Sequence, residues 1–256
     1  MYLNKNSMNT PKEVVHNSIC PEGTDTHKPM PHSYFLDKAD HYIDELNLKI
    51  EEEKFWLSRD EMKYAGVYVF DKKVNTEVNE EHQANIMLSF LNSNDKSMSA
   101  GVFFGTHMPI CTNVGWWDSF WFKRKHTGNI EADLETGIKA CFYNLDKFAI
   151  GYNDLIASYK STPLSDYMAR GLIIEGAKQK VIPPSKVLSV LKEWETPSFE
   201  YDDNDKNMYR LHNSFTTVMR CYKDNPIRSP QRSFKLMNVF TEHVGYNPFE
   251  EMNEKS

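Results

Sequence analysis

The sequence predicts an α+β protein, with an antiparallel β-meander over about residues 64–113 followed by a helical C-terminal half. Three observations predict it. Short apolar runs rich in Val, Phe and Tyr, separated by Asn, Ser and Asp, fill the first half. From Ile130 onward apolar residues recur at steps of three and four. The chain has 256 residues, 40% of them hydrophobic and 15 of them Phe, which is enough material for a sizeable core.

The elements follow in order. Residues 1–35 are polar and punctuated by Pro11, Pro21, Pro29 and Pro31, with no sustained period; such a segment buries too little apolar area to offset its ordering entropy and is expected to be a flexible arm. Leu36 to Lys54 is expected to be one charged surface helix, with Tyr42, Ile43, Leu46 and Ile50 on its apolar side. Gly66–Phe70, Asn85–Leu91, Met98–Phe104 and Met108–Thr112 are strand candidates, and Asn92-Ser-Asn-Asp-Lys96 carries turn chemistry. Ile130, Leu134, Ile138, Cys141, Leu145, Phe148, Tyr152 and Leu155 define one long amphipathic helix, with Glu131 and Asp133 in its first turn and Thr127 or Asn129 as its cap. Further helices are expected at 164–179, 185–195, 204–223 and 229–244. Ser185 and Ser229 serve as caps, Pro230 takes the first helical position and Gly245 is the stop. The organisation is then an arm at 1–35, a single domain at 36–246 and a loose acidic tail at 247–256.

Composition excludes several classes. A net charge of −6 argues against a protein that coats duplexes non-specifically, so any nucleic-acid contact has to come from a local patch. The four cysteines are widely spaced without a CxxC pair, which fits reduced thiols in the cytoplasm and argues against a zinc ribbon or a disulfide scaffold. No apolar run approaches the roughly 20 residues that span a bilayer, and the start lacks the apolar stretch of a signal peptide. No phosphate loop, dinucleotide fingerprint, nucleophile elbow or HExxH is present. Asp202, Asp203 and Asp205 lack the glycine and distal glutamate of a calcium loop. His27, His32 and His41 lack metal-ligand spacing. No metal, cofactor or catalytic residue is assigned; pairing Cys111 with His107 or His126 as nucleophile and base is outweighed by packing of a strand thiol.

The chemistry concentrates between Ile86 and Ile130. Trp116, Trp117 and Trp121, three of the five tryptophans, run directly into Lys123, Arg124, Lys125 and His126. Interleaved rings and cations suit single-stranded nucleic acid, whose bases stack while its phosphates attract charge. The competing reading is that Trp117, Phe120 and Trp121, at helical spacing, belong to the core and the basic run is a solvated edge. Ser93, Asp95, Asn113, His126 and Thr127 form a second candidate set around a small phosphorylated ligand, helped by the amides of the helix that follows. Turn chemistry by itself also explains Ser93 and Asp95. A third reading makes the tryptophans anchors for a host protein.

The runs Leu91-Asn-Ser-Asn-Asp-Lys-Ser97, Pro109-Ile-Cys-Thr-Asn113 and Arg124-Lys-His-Thr-Gly128 resemble the phage- and plasmid-related family catalogued as domain of unknown function 932. That family carries an NSHDGS turn, a CxN element and an R-HT element opening a long helix, and Leu211-His-Asn-Ser-Phe-Thr216 resembles a later NAxT element. The likeness spans Ile86 to Gly245, about 60% of the chain. Asn94 and Lys96 stand where the family has His and Gly, so no role of that histidine carries over, and Ile110 departs from the usual Arg or Leu. The family has no agreed activity. The resemblance implies a phage or mobile-element context more than a reaction; the reading favoured from the aromatic–basic segment is a non-enzymatic protein associated with nucleic acid.

Overall fold

The computed structural model describes residues 9–74, 83–108, 113–198, 205–220 and 228–245, with the side chains of 108–121, 220 and 228–230 outside the description. Five strands follow one another in space as in sequence: β1 (Ile50–Leu57), β2 (Lys63–Val74), β3 (Ala84–Ser93), β4 (Ala100–Met108) and β5 (Asn113–Arg124). This is the antiparallel meander, longer at both ends than the 64–113 expected. Residues 109–112, including Cys111, lie outside the described residues.

By contact the chain divides into two compact units. The first takes in 1–72, 86–105 and 120–146, the second 73–85, 106–119 and 147–256. In the first, β2 is buried from Tyr64 to Phe70 on both faces, which accounts for its continuous apolar sequence. One face meets α2 (His32–Glu45) and α3 (Ile130–Tyr143): Phe35 packs on Tyr64 and Phe90, and Phe142 on Tyr42 and Phe70, at ring separations of 5.4–6.3 Å.

Two sequence expectations fail here for physical reasons. Leu36–Lys54 is not one helix. α2 stops at Glu45, Asn47 adopts φ +49, and the chain turns back as β1, pairing Phe55 with Gly66 and Trp56 with Ala65. The Glu- and Lys-rich run Glu51–Lys54 reads as helix by propensity, but cross-strand pairing overrides it, and its charges suit the outermost strand of a sheet.

Residues 9–35, expected to be an arm, are also held. Thr10 donates its amide to Phe55 O at 3.0 Å, and short α1 (Lys12–His16) buries Val15 completely. Lys12 pairs with Asp40 at 2.6 Å, and Met30, His32 and Phe35 are buried. The segment's own apolar content is small; its anchors all lie far away in sequence, where local composition cannot see them.

The helical half keeps its predicted stripe but not its length. All eight residues from Ile130 to Leu155 that set the period are buried, yet Asn144 breaks the run into α3 and α4 (Leu145–Ser161), its side chain donating to Ala140 O at 2.7 Å. α3 begins at Ile130 with no side-chain cap from Asn129, contrary to expectation. Ser185 is not a cap either: Pro184–Lys186 forms a 3-10 turn leading into α6 (Val187–Glu195). Ser229 falls inside α8 (Arg228–Val244), and Gly245 at φ +70 ends it as predicted.

α5 (Asp166–Lys178), capped by Ser165, and α7 (Met208–Arg220) complete the second unit. Its core gathers Tyr159, Ile173, Trp194, Leu211, Phe215 and Phe240.

Gly137 shows how closely α3 sits on β5. A Cβ there would lie 2.1 Å from Phe122 Cγ. Mid-helix glycine normally costs up to about 1 kcal/mol against alanine, so an uncrowded site would gain from alanine. We expect Gly137→Ala to lower stability by about 1–3 kcal/mol instead, through overpacking, as read from the urea midpoint.

Candidate functional site

Three stretches far apart in the chain, at residues 27–32, 92–94 and 126, meet at one buried network in the first unit. Asn92, at the end of β3, is fully buried. Its Nδ2 donates to Met30 O at 2.8 Å and to His32 Nδ1 at 2.9 Å, and its Oδ1 accepts from His126 Nε2 at 2.8 Å. Asn94 repeats the pattern: Nδ2 donates to Met30 O, Oδ1 accepts the Met30 amide, and its carbonyl accepts from His27 Nε2 at 3.2 Å. Lys28 N donates to His126 O at 2.8 Å. A β-turn, the residues ahead of α2 and the loop before α3 are thus joined by side chains more than 90% buried.

The network fixes proton positions. Because Oδ1 and a carbonyl can only accept, His126 and His27 each carry hydrogen on Nε2. His32 accepts at Nδ1 and donates Nε2–H to Glu61 O at 2.8 Å, so it is neutral. Burial pushes His126 down to about 4, aided by the nearby His27 and His32. Burial also lowers His32, against the pull of Glu61. The His27 and His126 rings lie 5.3 Å apart. At neutral pH His32 and His126 are therefore uncharged hydrogen-bonding groups.

Asp95 belongs to a separate arrangement. It accepts from Ser93 Oγ at 2.5 Å and from the Ser97 amide at 3.0 Å, and pairs with Lys63 at 2.9 Å. Burial alone would raise its carboxyl, but those donors outweigh it and hold Asp95 well below the usual carboxylate range. Asp95 and His126, placed in one candidate set by the sequence, have different partners: His126 Nε2 faces the amide of Asn92, and Asp95 bonds to Ser93, Ser97 and Lys63.

Lys123, Arg124 and Lys125 are all exposed, and Arg124 Nε pairs with Asp133 at 2.6 Å on the first turn of α3. Thr127 is exposed and its amide turns back to Lys125 O. Trp116, Trp117 and Trp121 fall in β5, so a helical spacing does not describe them; their side chains, like that of Asn113, lie outside the described residues. Beside the hub, at the start of α3, is a cavity of about 690 Å³ lined by Lys28, Tyr34, Gly128, Asn129 and Glu131.

Sequence reasoning missed His27, His32 and Asn92. The histidines were set aside for lacking local spacing, and Asn92 read as turn chemistry; nothing short-range links positions 27, 32, 92 and 126. Among the described residues no group of three or more His, Cys, Asp or Glu is placed to hold a metal, and no helix is long and apolar enough to cross a membrane. Comparison of the chain with family models, with curated proteins and with solved structures gave no match.

Proposed function

We propose that the protein binds single-stranded nucleic acid along β5 without acting as an enzyme, as a phage or mobile-element protein working in the host cytoplasm. One observation carries the reading. β5 is the last strand of the sheet, and the segment that holds Trp116, Trp117 and Trp121 in sequence delivers exposed Lys123 and Lys125 at its end. Rings that stack and cations that follow a backbone are the two requirements of sequence-tolerant single-strand binding. The buried Asn92–His126 network, which adjoins this run in sequence, is taken as structural support.

The resemblance to domain of unknown function 932 supports the setting in one further respect. Lys96 has φ +65 at the position where that family carries glycine, the residue that takes this conformation without cost.

Fluorescence anisotropy with a labelled single-stranded oligonucleotide tests the reading. Binding is expected to weaken with salt. In the Lys123→Ala/Lys125→Ala variant the slope against log salt should fall by about 1.4, or about 0.7 per lost phosphate contact. Absence of binding at low salt, or an unchanged slope in the variant, removes the proposal.

A second reading is favoured by the cavity at the start of α3. Lys28 and the uncapped amides of the first turn would take a phosphorylated small molecule. Titration calorimetry with a nucleoside monophosphate, in the wild type and in Lys28→Ala, distinguishes it, because this site does not involve Lys123 or Lys125.

A further inference from the structure

A surface helix ordinarily turns its apolar stripe inward and its polar stripe to water. α5 does only the first. Ala169, Ile173 and Gly176 are buried, but the opposite stripe, at steps of four, three and four, reads Tyr167, Gly171, Ile174 and Lys178. Tyr167 is 87% exposed and Ile174 47%. α6 runs back alongside: Trp194 Nε1 donates to Asp166 Oδ1 at 2.9 Å, and Arg170 pairs with Glu195 at 3.6 Å. Leu188, seven residues before Glu195 and so on the same side of α6, is 76% exposed. Large apolar side chains thus stand together in water on one surface of the second unit, as they do where something docks.

Gly171 is a second observation. Glycine inside a helix weakens it relative to alanine. Gly137 and Gly176 have a reason within the chain, since a Cβ there would lie 2.1 Å from Phe122 and 2.8 Å from Phe215. At Gly171 a Cβ would meet nothing within 4 Å. Placed between Tyr167 and Ile174, it opens a notch in the exposed stripe where another helix can approach closely.

Charge decides what fits. The rim carries both signs, with Arg170, Lys178 and Lys192 exposed beside Asp166 and Glu195. A patch built for an anionic membrane or an acidic peptide would carry a surplus of cations. This one complements itself instead. Two copies of α5 laid antiparallel about a two-fold axis at Gly171 bring Tyr167 of each onto Ile174 of the other. The same operation carries Lys178 of each copy to the Asp166 end of the other, and sets Gly171 opposite itself.

We infer that the protein pairs with a second copy of itself through α5, in an isologous contact with Gly171 on the two-fold axis and Leu188 at its margin. The helix has 13 residues, so the contact is only about 20 Å long. An interface of that size belongs to the weak, transient class, with dissociation in the micromolar range. It uses no residue of β5 and none of the cavity beside α3, so pairing and nucleic-acid binding are tested separately.

Sedimentation velocity of the full chain from about 5 to 500 μM should show monomer passing into dimer. Because the axis sets residue 171 opposite itself, Gly171→Glu and Gly171→Lys should each raise the dissociation constant at least about tenfold, through like charges in contact. An equimolar mixture of the two variants should associate at least as well as wild type. Each variant should melt no lower than wild type at the lowest concentration, since the position is open and Glu and Lys are better helix formers than Gly; this separates lost pairing from misfolding. A wild type that stays monomeric throughout, a dimer indifferent to Gly171→Glu, or a mixture no more associated than its components overturns the inference. So does a monomer that binds phosphatidylserine–phosphatidylcholine vesicles and loses that binding in Tyr167→Ala, which would assign the patch to a lipid surface.

Discussion

Replacing Asn92 with alanine is expected to lower stability by about 3–5 kcal/mol, a large part of the 5–15 kcal/mol that holds a typical domain together. One fully buried side chain makes three hydrogen bonds to groups drawn from positions 30, 32 and 126. Met30 O keeps its second donor, Asn94 Nδ2, so its loss is small. The His126 Nε2–H and His32 Nδ1 are stranded in the interior, at about 1–3 kcal/mol each, and the cavity left by the amide adds to this. Asn92→Asp should be damaging for a different reason: a carboxylate cannot donate to Met30 O or His32 Nδ1. Urea unfolding measures both. A loss below about 1 kcal/mol for Asn92→Ala, the level of an ordinary exposed hydrogen bond, would show that the hub does not tie these segments together.

Acid is expected to unfold the protein between pH 6.5 and 4. His126 and His212 are each held neutral, with folded values of about 4 against 6.5 for an ordinary histidine. The unfolded chain therefore takes up these protons first as pH falls. Their contribution is complete above about pH 6.5, declines through the window down to about pH 4 and is constant below it. A gap of this size corresponds to roughly 3 kcal/mol per histidine, so the pair amounts to much of a domain's stability. His126→Gln retains an N–H donor for Asn92 and cannot titrate. Its urea midpoint should change less than that of wild type between pH 7.5 and 4.5, by about one histidine's share. An identical pH slope in the two proteins would remove His126 from the cause and leave the acid response to carboxylates such as Asp95, whose depressed value acts lower, as pH falls through the ordinary carboxylate range and below.

How much of this was legible depends on the range of the interaction. Strands β2 to β4 could be read because Gly66–Phe70, Asn85–Leu91 and Met98–Phe104 are short apolar runs with turn residues between them. The apolar stripe from Ile130 to Leu155 was legible because burial repeats every three or four positions, but the break at Asn144 was not, since a single asparagine leaves the period intact. β1 was hidden: Glu51-Glu-Glu-Lys54 carries helical propensity, and only the partner strand makes it extended.

By itself, then, the sequence determined the α+β class, the middle of the meander and the region where polar and aromatic–basic residues concentrate, because each follows from local composition and period. Tertiary structure decided that residues 9–35 are anchored, that His27, His32 and His126 meet around Asn92 and Asn94, and that Arg124 pairs with Asp133. Those outcomes depend on contacts between residues tens of positions apart. A buried amide and a turn amide have the same local sequence, and only the fold settles whether water or another side chain stands opposite.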